Sequence, residues 1–575
     1  MKISPRMVQL SCVLVVSACN AELPEAYPVH ADLVLYDGNI ITVDTEKPRA
    51  EAIALLGDQI LAVGDNEEIL QLVGPATRQL DLEGKTVVPG FSDGHLHSKV
   101  GRMRPGTVDV TAVRNLQGLM DEIASEIAVR EPGEIIFTSS DWHEAQLEEL
   151  RLPTRWDLDA VSPDNPVVVI RGGHEFILNS AALEKWNITT ETVSPPGGQI
   201  TFDADRNDIT GELIDRARDL VDLPSPPERV LNERLALLQE EHHKWNALGL
   251  TSFRNAGADL QSFKDYQELW RRGGLTIRVG VLLRWDRKSS PAEFREEIIA
   301  WGLIPHMGNA WVRFDSIKLG VDGGYEGGWM TAPYIESFGH SGDFFGLNTV
   351  PRKLFIDVVT MINDLGMRAS THSVGDAAND LVLDAYAEAN KQKSISGKRW
   401  TIEHAFITRP DQIERIKELD LAISAQSHLY LAGASLIDYW GEQRASDVAP
   451  VRLWLDANIP VGGGTDNKLP YVPENPITTF YHWVSRDTVS AGILGEEHAI
   501  SREEALRIGT LGVAYLTFEE DIKGSLTPGK LADLVVLSQD IMTVPVDRIM
   551  ETRVLATMVG GTFVYDVGNI AARDN

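Results

Sequence analysis

From Pro89 onward the chain alternates short apolar segments with stretches of helical periodicity, and this alternation constrains the fold more than any other sequence feature. Eight apolar segments are candidate strands of one parallel sheet. They are predicted to end near His97, Ala256, Leu283, Leu319, His372, His404, Gln426 and Asp466. Helical periodicity lies between several of them, for example over Glu228–Leu248, Pro351–Leu365 and Pro410–Leu419. Strands that alternate with helices indicate βα units, and eight such strands close a TIM barrel, so the predicted fold class is α/β.

The predicted barrel, residues 89–515, is interrupted by an insertion and flanked by short strands. Residues 98–250 are too many for a simple loop and contain strand-like pieces at Glu134–Ser139 and Pro166–Ile170, so we expect an inserted lid or substrate subdomain. Residues 32–88 and 516–575 carry short alternating segments separated by Gly and Asp turns, which is typical of antiparallel strands. We expect both chain ends to pair in one small β-sandwich.

Residues 1–19 have the features of an export signal. A basic start precedes the mostly apolar segment Met7–Ala18, which is too short to span a bilayer comfortably. The end of this segment, Val16-Ser17-Ala18-Cys19, resembles a bacterial lipobox and predicts lipidation of Cys19, followed by a polar tether over residues 20–31. An ordinary secretory signal is the alternative. Asn20 after the cysteine favours the outer membrane, so we expect an envelope protein that faces the periplasm and touches the membrane only through its lipid anchor.

The composition argues against nucleic-acid binding and against disulfides or metal sites built from cysteine. A net charge of −31 would repel phosphates, so nucleic-acid binding is not expected, and solubility is the simpler reading of the charge. The only cysteines, Cys12 and Cys19, lie in the predicted signal. Disulfides and thiolate metal sites are therefore excluded from the rest of the chain.

Six polar side chains follow apolar segments at predicted strand ends, where the strands of a barrel converge. They are His95, His97, Lys318, His372, His404 and Asp466. The first two are two residues apart and point the same way in an extended strand. Lysine rarely enters an apolar strand such as Trp311–Leu319 without a partner. Burial would leave a free amine that can take up carbon dioxide, and the resulting carbamate offers two oxygens to two metal ions.

Each of these residues also has a simpler interpretation. The lysine could form a salt bridge with Asp322 or Asp466, and Asp466 could cap a helix. A single histidine at a strand end is more often a satisfied core group than a ligand. Two of them on consecutive strands, beside the histidine pair and the lysine, favour a metal site, and neutral imidazoles suit zinc.

Eight segments in chain order carry a resemblance to a known family: VVPGFSDGHLH, RGGHEFILNSAAL, ITGELI, IKLGVDGGYEGGWMTAPY, STHSVGDAA, TIEHA, GGGTDNK and GKLADLVVL. Together they resemble the amidohydrolase superfamily, and within it the amidohydrolase 3 branch that includes N-substituted formamide deformylases. The similarity covers roughly residues 32–566. Thr465 and Asn467 depart from the family pattern on the side of the site that would face the substrate.

The resemblance implies a centre of two divalent cations, for which we expect zinc. His95 and His97 would bind the more buried ion, and His372 and His404 the second. Lys318, as a carbamate formed from carbon dioxide, would bridge both, and Asp466 would bind the first ion and act as general base. The implied reaction is hydrolysis of an amide-type, non-peptide carbon–nitrogen bond by a hydroxide that bridges the metals.

Other functions remain open on the sequence alone. The same centre could serve a lactonase, an esterase or a phosphoesterase, and a catalytically inactive metal- or ligand-binding lipoprotein is the alternative outside enzymes. A mononuclear deaminase is disfavoured by Lys318. The expected partner is a small-molecule substrate. Its contacts are expected from residues in loops or at strand ends near the barrel mouth, with lid packing as the alternative: Trp142, His143, His174, Tyr325, Trp329, Gln426 and His428.

Overall fold

The computed structural model describes residues 29–98, 100, 104, 106–336, 338, 342–466 and 475–572. The predictions about the export signal, the lipidated Cys19 and Asn467 concern residues outside these ranges. Lipidation of Cys19 therefore stays a prediction. Among the helices of the described part, none is both long and apolar enough to cross a membrane.

An eight-stranded parallel sheet forms the centre of the protein. Its strands are β1 (Phe91–Leu96), β2 (Leu250–Ala258), β3 (Arg278–Arg284), β4 (Val312–Gly320), β5 (Ala369–Ser373), β6 (Thr401–His404), β7 (Ala422–Gln426) and β8 (Val461–Gly464). Each strand pairs in parallel with the next along the chain. The sheet curls until β8 meets β1, where the backbone N–H of Asp466 donates to the carbonyl of His95 at 2.8 Å. The predicted TIM-barrel fold is confirmed.

Glycines allow β1 and β8 to approach closely. A Cβ at Gly94 would lie 2.9 Å from the carbonyl oxygen of Gly463, so a larger residue there would force the strands apart. The barrel strands are buried along almost their whole length because helices cover the outside of the barrel, as expected for a parallel sheet.

Amphipathic helices form the outer layer. In Arg352–Asp364, the residues Phe355, Val358, Val359 and Ile362 recur at helical spacing and are all buried. The other helices that follow barrel strands are Leu260–Arg271, Pro291–Trp301, Asp376–Gln392, Pro410–Glu418, Leu429–Trp440, Glu442–Ser446, Val451–Asp456, Pro476–Ser485, Arg502–Ile508 and Leu511–Leu516. A short hairpin, Asp487–Thr488 with Gly492–Ile493, follows the helix Pro476–Ser485.

The segment between β1 and β2 forms its own six-stranded mixed sheet. In spatial order the strands are Gly198–Asp203, Asp208–Asp215, Glu175–Leu178, Val167–Arg171, Ile136–Thr138 and Thr107–Val108. Its helices are Leu116–Ile127, Arg155–Asp159 and Ser180–Lys185, and the long helix Leu231–Ala247 leads back into β2. This insertion brings Trp142, His143, Arg171 and His174 to the mouth of the barrel.

The two chain ends meet in two further sheets. One contains Gln59–Gly64, Ala52–Leu56, Leu33–Tyr36 and Arg78–Asp81. The other contains Thr562–Asp566, Val554–Val559, Leu534–Leu537, Thr86–Pro89, Asn39–Ile41 and Arg49–Ala50. The C-terminal strand Leu534–Leu537 runs antiparallel to Thr86–Pro89, and apolar side chains of both sheets, such as Leu35 and Val536, share one core. A short helix, Asn66–Leu70, caps this region.

Candidate metal centre

The six predicted donors converge at the carboxyl end of the barrel. His97 Nε2 lies 3.1 Å from Asp466 Oδ1, and His95 Nε2 lies 3.9 Å from the same oxygen. Lys318 Nζ lies 3.0 Å from His95 Nε2. The ring of His404 lies 4.7 Å from that of His95 and 4.6 Å from that of His372, measured between centroids. The structure therefore brings together all six residues that the sequence singled out.

The local backbone aims these side chains inward. Asp93 accepts hydrogen bonds from the backbone N–H of His95 at 2.9 Å and from the hydroxyl of Thr465 at 2.7 Å, so its carboxylate joins β1 to β8. His404 and Asp466 both adopt left-handed backbone angles, with φ of +75° and +55°. Such angles are unfavourable for non-glycine residues and are concentrated at functional sites.

The sequence reasoning missed Glu403, which is fully buried directly below the donors. Its Oε2 lies 2.5 Å from His95 Nδ1, and its Oε1 accepts from Arg254 Nη1 at 3.0 Å. Burial by itself would raise the pKa of Glu403, but Arg254 and His95 hold it well below its usual range. The carboxylate therefore accepts the Nδ1 proton of His95 and leaves Nε2 for a metal. A charged residue in the apolar run before His404 was the available signal.

Lys318 is buried in β4 with 9% of its surface exposed. Burial lowers its pKa to about 8, and the attraction of Glu403 and Asp466 offsets this effect only in part. Among the described residues, Lys318 forms no salt bridge with Asp322 or Asp466, so that simpler interpretation is not supported. Asp322 instead accepts the backbone N–H groups of Trp329 and Gly375, which organises the loop after β4.

The two histidines on β5 and β6 are suited to metal binding. His372 Nε2 donates to the carbonyl of Gly323 at 2.8 Å, which leaves Nδ1 available to a metal. His404 Nδ1 is buried and has no hydrogen-bond partner in the part of the chain that the structure describes. Burial holds the pKa of both imidazoles well below the usual range, so both are neutral.

The donor set fits divalent cations. Ligand atoms of His95, His404 and Asp466 lie within 4.8 Å of one another. A buried imidazole nitrogen without a partner is costly, and a cation would satisfy it. Neutral imidazoles together with carboxylate oxygens are ligands that zinc and related ions accept.

A cavity of about 60 Å³ opens beside the donors. Its wall includes His372, His404 and Asp466, apolar residues such as Phe406 and Leu431, and part of the insertion. Of the predicted substrate contacts, Trp142, His143, His174, Tyr325 and His428 line this cavity.

Trp329 and Gln426 are not part of the cavity wall. Gln426 Nε2 turns back to the carbonyl and the hydroxyl of Ser424, both at 2.9 Å, so its side chain lies within the barrel. Trp329 packs beside the core, and its backbone N–H donates to the carboxylate of Asp322 at 3.0 Å. Contact of these two residues with the substrate therefore stays a prediction, which the geometry of the cavity does not favour.

Two histidines of the cavity wall are held by carboxylates. His174 Nδ1 lies 2.7 Å from Asp215 Oδ1, and the His174 ring stacks on His372 with centroids 5.8 Å apart. His428 Nε2 lies 3.1 Å from Asp466 Oδ2. Asp466 thus sits between His97 and His428. The sequence predicted His428 only as a substrate contact and gave no sign of this pairing.

Comparison with known proteins places these features in a family. The model of the amidohydrolase family matches residues 78–565. The N-substituted formamide deformylase of Arthrobacter pascens is 30% identical over 546 residues, which cover 93% of this chain and 98% of that protein.

Two solved structures share the fold. One is a metal-dependent hydrolase from Pyrococcus furiosus, with 27% identity, a TM-score of 0.63 and coverage of 89% of this chain and 100% of the other. The second is an atrazine chlorohydrolase from Arthrobacter aurescens TC1, solved with zinc. It shows 15% identity, a TM-score of 0.51 and coverage of 94% and 98%, and it supports the fold alone.

Proposed function

Because the chain belongs to the amidohydrolase family and is a metal-dependent hydrolase of non-peptide carbon–nitrogen bonds, we propose that it cleaves an amide-type bond at a centre of two divalent cations. His95, His97 and Asp466 would hold the more buried ion, and His372 and His404 the second. Lys318, as a carbamate, would contact both. Zinc is the expected metal, because imidazole and carboxylate ligands accept it readily.

Lys318 carries this proposal. An ammonium group 3.0 Å from His95 Nε2 would compete with a metal for that nitrogen. Conversion to a carbamate removes the positive charge and adds two oxygen ligands. The pKa of about 8 makes this conversion accessible, because about a tenth of such amines are unprotonated at pH 7, against roughly one in 2,500 for an ordinary lysine.

The side chains around the cations have separate tasks. Bound cations supply Lewis acidity, which lowers the pKa of water and polarises a carbonyl group. Asp466 would accept a proton from water and return it to the leaving nitrogen. Glu403 keeps the His95 ring in its ligand orientation. Trp142, Phe406 and Leu431 supply an apolar wall for a substituent of the substrate.

Metal analysis and a substrate panel test the proposal together. We expect about two ions per chain after reconstitution with zinc and bicarbonate. N-alkylformamides, the class suggested by the deformylase relative, come first in the panel, followed by N-acyl amino acids, ureas and lactones. Hydrolysis of lactones without any amide would refute the carbon–nitrogen assignment. One ion per chain at full activity would refute the two-cation centre.

Export as a lipoprotein of the cell envelope remains a separate proposal based on the sequence. Expression of the full chain in a bacterium with a radiolabelled fatty acid should label the wild type but not Cys19→Ala. Equal labelling of both proteins, or of neither, would contradict lipidation at this residue.

A further inference from the structure

Tyr325 is a polar residue of the cavity wall, and the hydrogen bonds of its hydroxyl indicate a role toward the substrate. It lies in the loop after β4, lines the cavity and has 7% of its surface exposed. Its position is fixed, because the hydroxyl of Tyr334 donates to the backbone carbonyls of Tyr325 at 3.0 Å and Gly328 at 2.8 Å. Its own hydroxyl contacts two groups of the insertion, His143 Nε2 and Arg171 Nη2.

Both of these contacts use the Tyr325 oxygen as an acceptor. Arginine has only donors, so Arg171 Nη2 must donate to it. His143 Nδ1 accepts the backbone N–H of Ala145 at 3.0 Å, and this bond assigns the ring proton to Nε2. His143 Nε2 therefore also donates to the Tyr325 oxygen. Arg171 Nη2 lies 3.4 Å from His143 Nε2, but the two atoms form no hydrogen bond with each other because both are donors.

Arg171, one of the two donors to the Tyr325 oxygen, also forms hydrogen bonds with Glu144. Arg171 Nη2 gives its second proton to Glu144 Oε1 at 2.7 Å, and Arg171 Nε bonds Glu144 Oε2 at 2.9 Å. Ser435 on the helix after β7 also donates to Glu144, at 2.6 Å. This network joins the insertion to the loop after β4 and to the helix after β7. The Tyr325 oxygen is therefore held against its two donors.

The proton of the Tyr325 hydroxyl has no acceptor within the part of the chain that the structure describes. Among the described residues, the hydroxyl has no further hydrogen-bond contact, and the carboxylate of the neighbouring Glu326 makes no hydrogen bond. Burial raises the pKa of Tyr325 well above its usual range, so the group stays protonated. Tyr325 lines the cavity that it shares with His372, His404 and Asp466.

We propose that the Tyr325 hydroxyl donates a hydrogen bond to the carbonyl oxygen of the scissile amide. This inference rests on the function proposed above and adds a residue that touches the substrate. A donor fixed in advance by two other groups is most useful where an oxygen gains negative charge during the reaction. The neighbouring cation Arg171, whose guanidinium carbon lies 4.9 Å from the Tyr325 ring centroid, polarises the hydroxyl further.

Tyr325→Phe tests this role because it removes only the hydroxyl and keeps the ring. The metal-loaded variant is assayed on an N-alkylformamide and on the matching thioformamide, whose sulfur is a poor acceptor. We expect kcat/KM to fall about 100- to 1,000-fold on the oxygen substrate, the range for loss of one such donor, and less than about threefold on the thio substrate. Tyr439→Phe is the matched control, because its ring stacks on Tyr325 at 6.2 Å and lies outside the cavity wall.

A second measurement does not depend on turnover. Metal-free wild type and Tyr325→Phe are titrated calorimetrically with the formamide and with the amine product, which lacks the carbonyl. The variant should bind the formamide several-fold more weakly and the amine equally well. Equal losses on the oxygen and thio substrates, unchanged formamide binding or no formamide binding by the wild type would each overturn the inference. A wild type that binds formamide through Tyr325 but cleaves no carbon–nitrogen bond would refute the proposed function alone.

Discussion

Replacing Glu403 with glutamine should weaken metal binding through His95, although Glu403 is not itself a proposed ligand. The two carboxylate oxygens have different partners. Oε2 lies 2.5 Å from His95 Nδ1, while Oε1 accepts from Arg254 at 3.0 Å and from the hydroxyl of Ser370. Glutamine keeps one acceptor and replaces the other with an NH₂ group. Whichever way the amide turns, a donor then faces either Arg254 or the Nδ1–H of His95.

The size of the effect follows from which partner loses its acceptor. Arg254 keeps other acceptors, the carbonyl of Gly94 at 2.9 Å and Asp315 at 3.1 Å, so the loss of stability should be about 1–3 kcal/mol. His95 loses the partner that orients its ring. Losing such a partner typically costs about 10- to 100-fold in metal affinity, which equals roughly 1.4–2.8 kcal/mol.

Competition with a chromophoric chelator measures this affinity directly, and thermal unfolding measures the stability of the metal-free protein. Glu418→Gln is the control, because it makes the same chemical change on the exposed side of a barrel helix. If Glu403→Gln folds and binds zinc as tightly as the wild type, Glu403 does not orient His95 for metal binding.

Three further predictions concern the same centre and the insertion. Reconstitution of the metal-free enzyme with zinc, at equal concentrations of dissolved carbon dioxide, should be faster at pH 8.5 than at pH 6.5, because Lys318, with its pKa of about 8, then loses its proton and the free amine takes up carbon dioxide. A rate of activation independent of pH would contradict carbamate formation. His428→Ala should lower kcat by about tenfold or more with unchanged metal content, because Asp466 loses a partner at 3.1 Å. A rise in KM alone would instead indicate a substrate contact. Burial raises the pKa of Glu175 well above its usual range despite the Arg171 guanidinium 3.0 Å away, so the folded state holds a proton that the unfolded chain releases. Stability should therefore fall as pH rises above the unfolded value near 4.3, and Glu175→Gln should flatten this slope in urea unfolding between pH 5 and 9. Parallel slopes would show that other groups dominate.

The core of the barrel could be predicted because its signals are local. Apolar runs such as the one ending at His372 identify a strand from neighbouring residues alone, and the observed strands end within two residues of the predicted positions. In a barrel all strands run in the same direction, so polar residues at their carboxyl ends must meet. That geometric requirement made the six donors predictable without any contact information.

The sequence by itself therefore determined the parallel strands, the rim at which they end and the donors that meet there. Tertiary structure decided the partners of those donors. Glu403 is 308 residues from His95, and Tyr325 is 182 residues from His143, so no local pattern connects them. It also decided that His428 turns toward Asp466 while Gln426, two residues earlier, turns back into the barrel. The physical reason is that strand direction follows from the backbone, whereas a side chain's partner depends on which acceptors distant segments bring within about 3 Å.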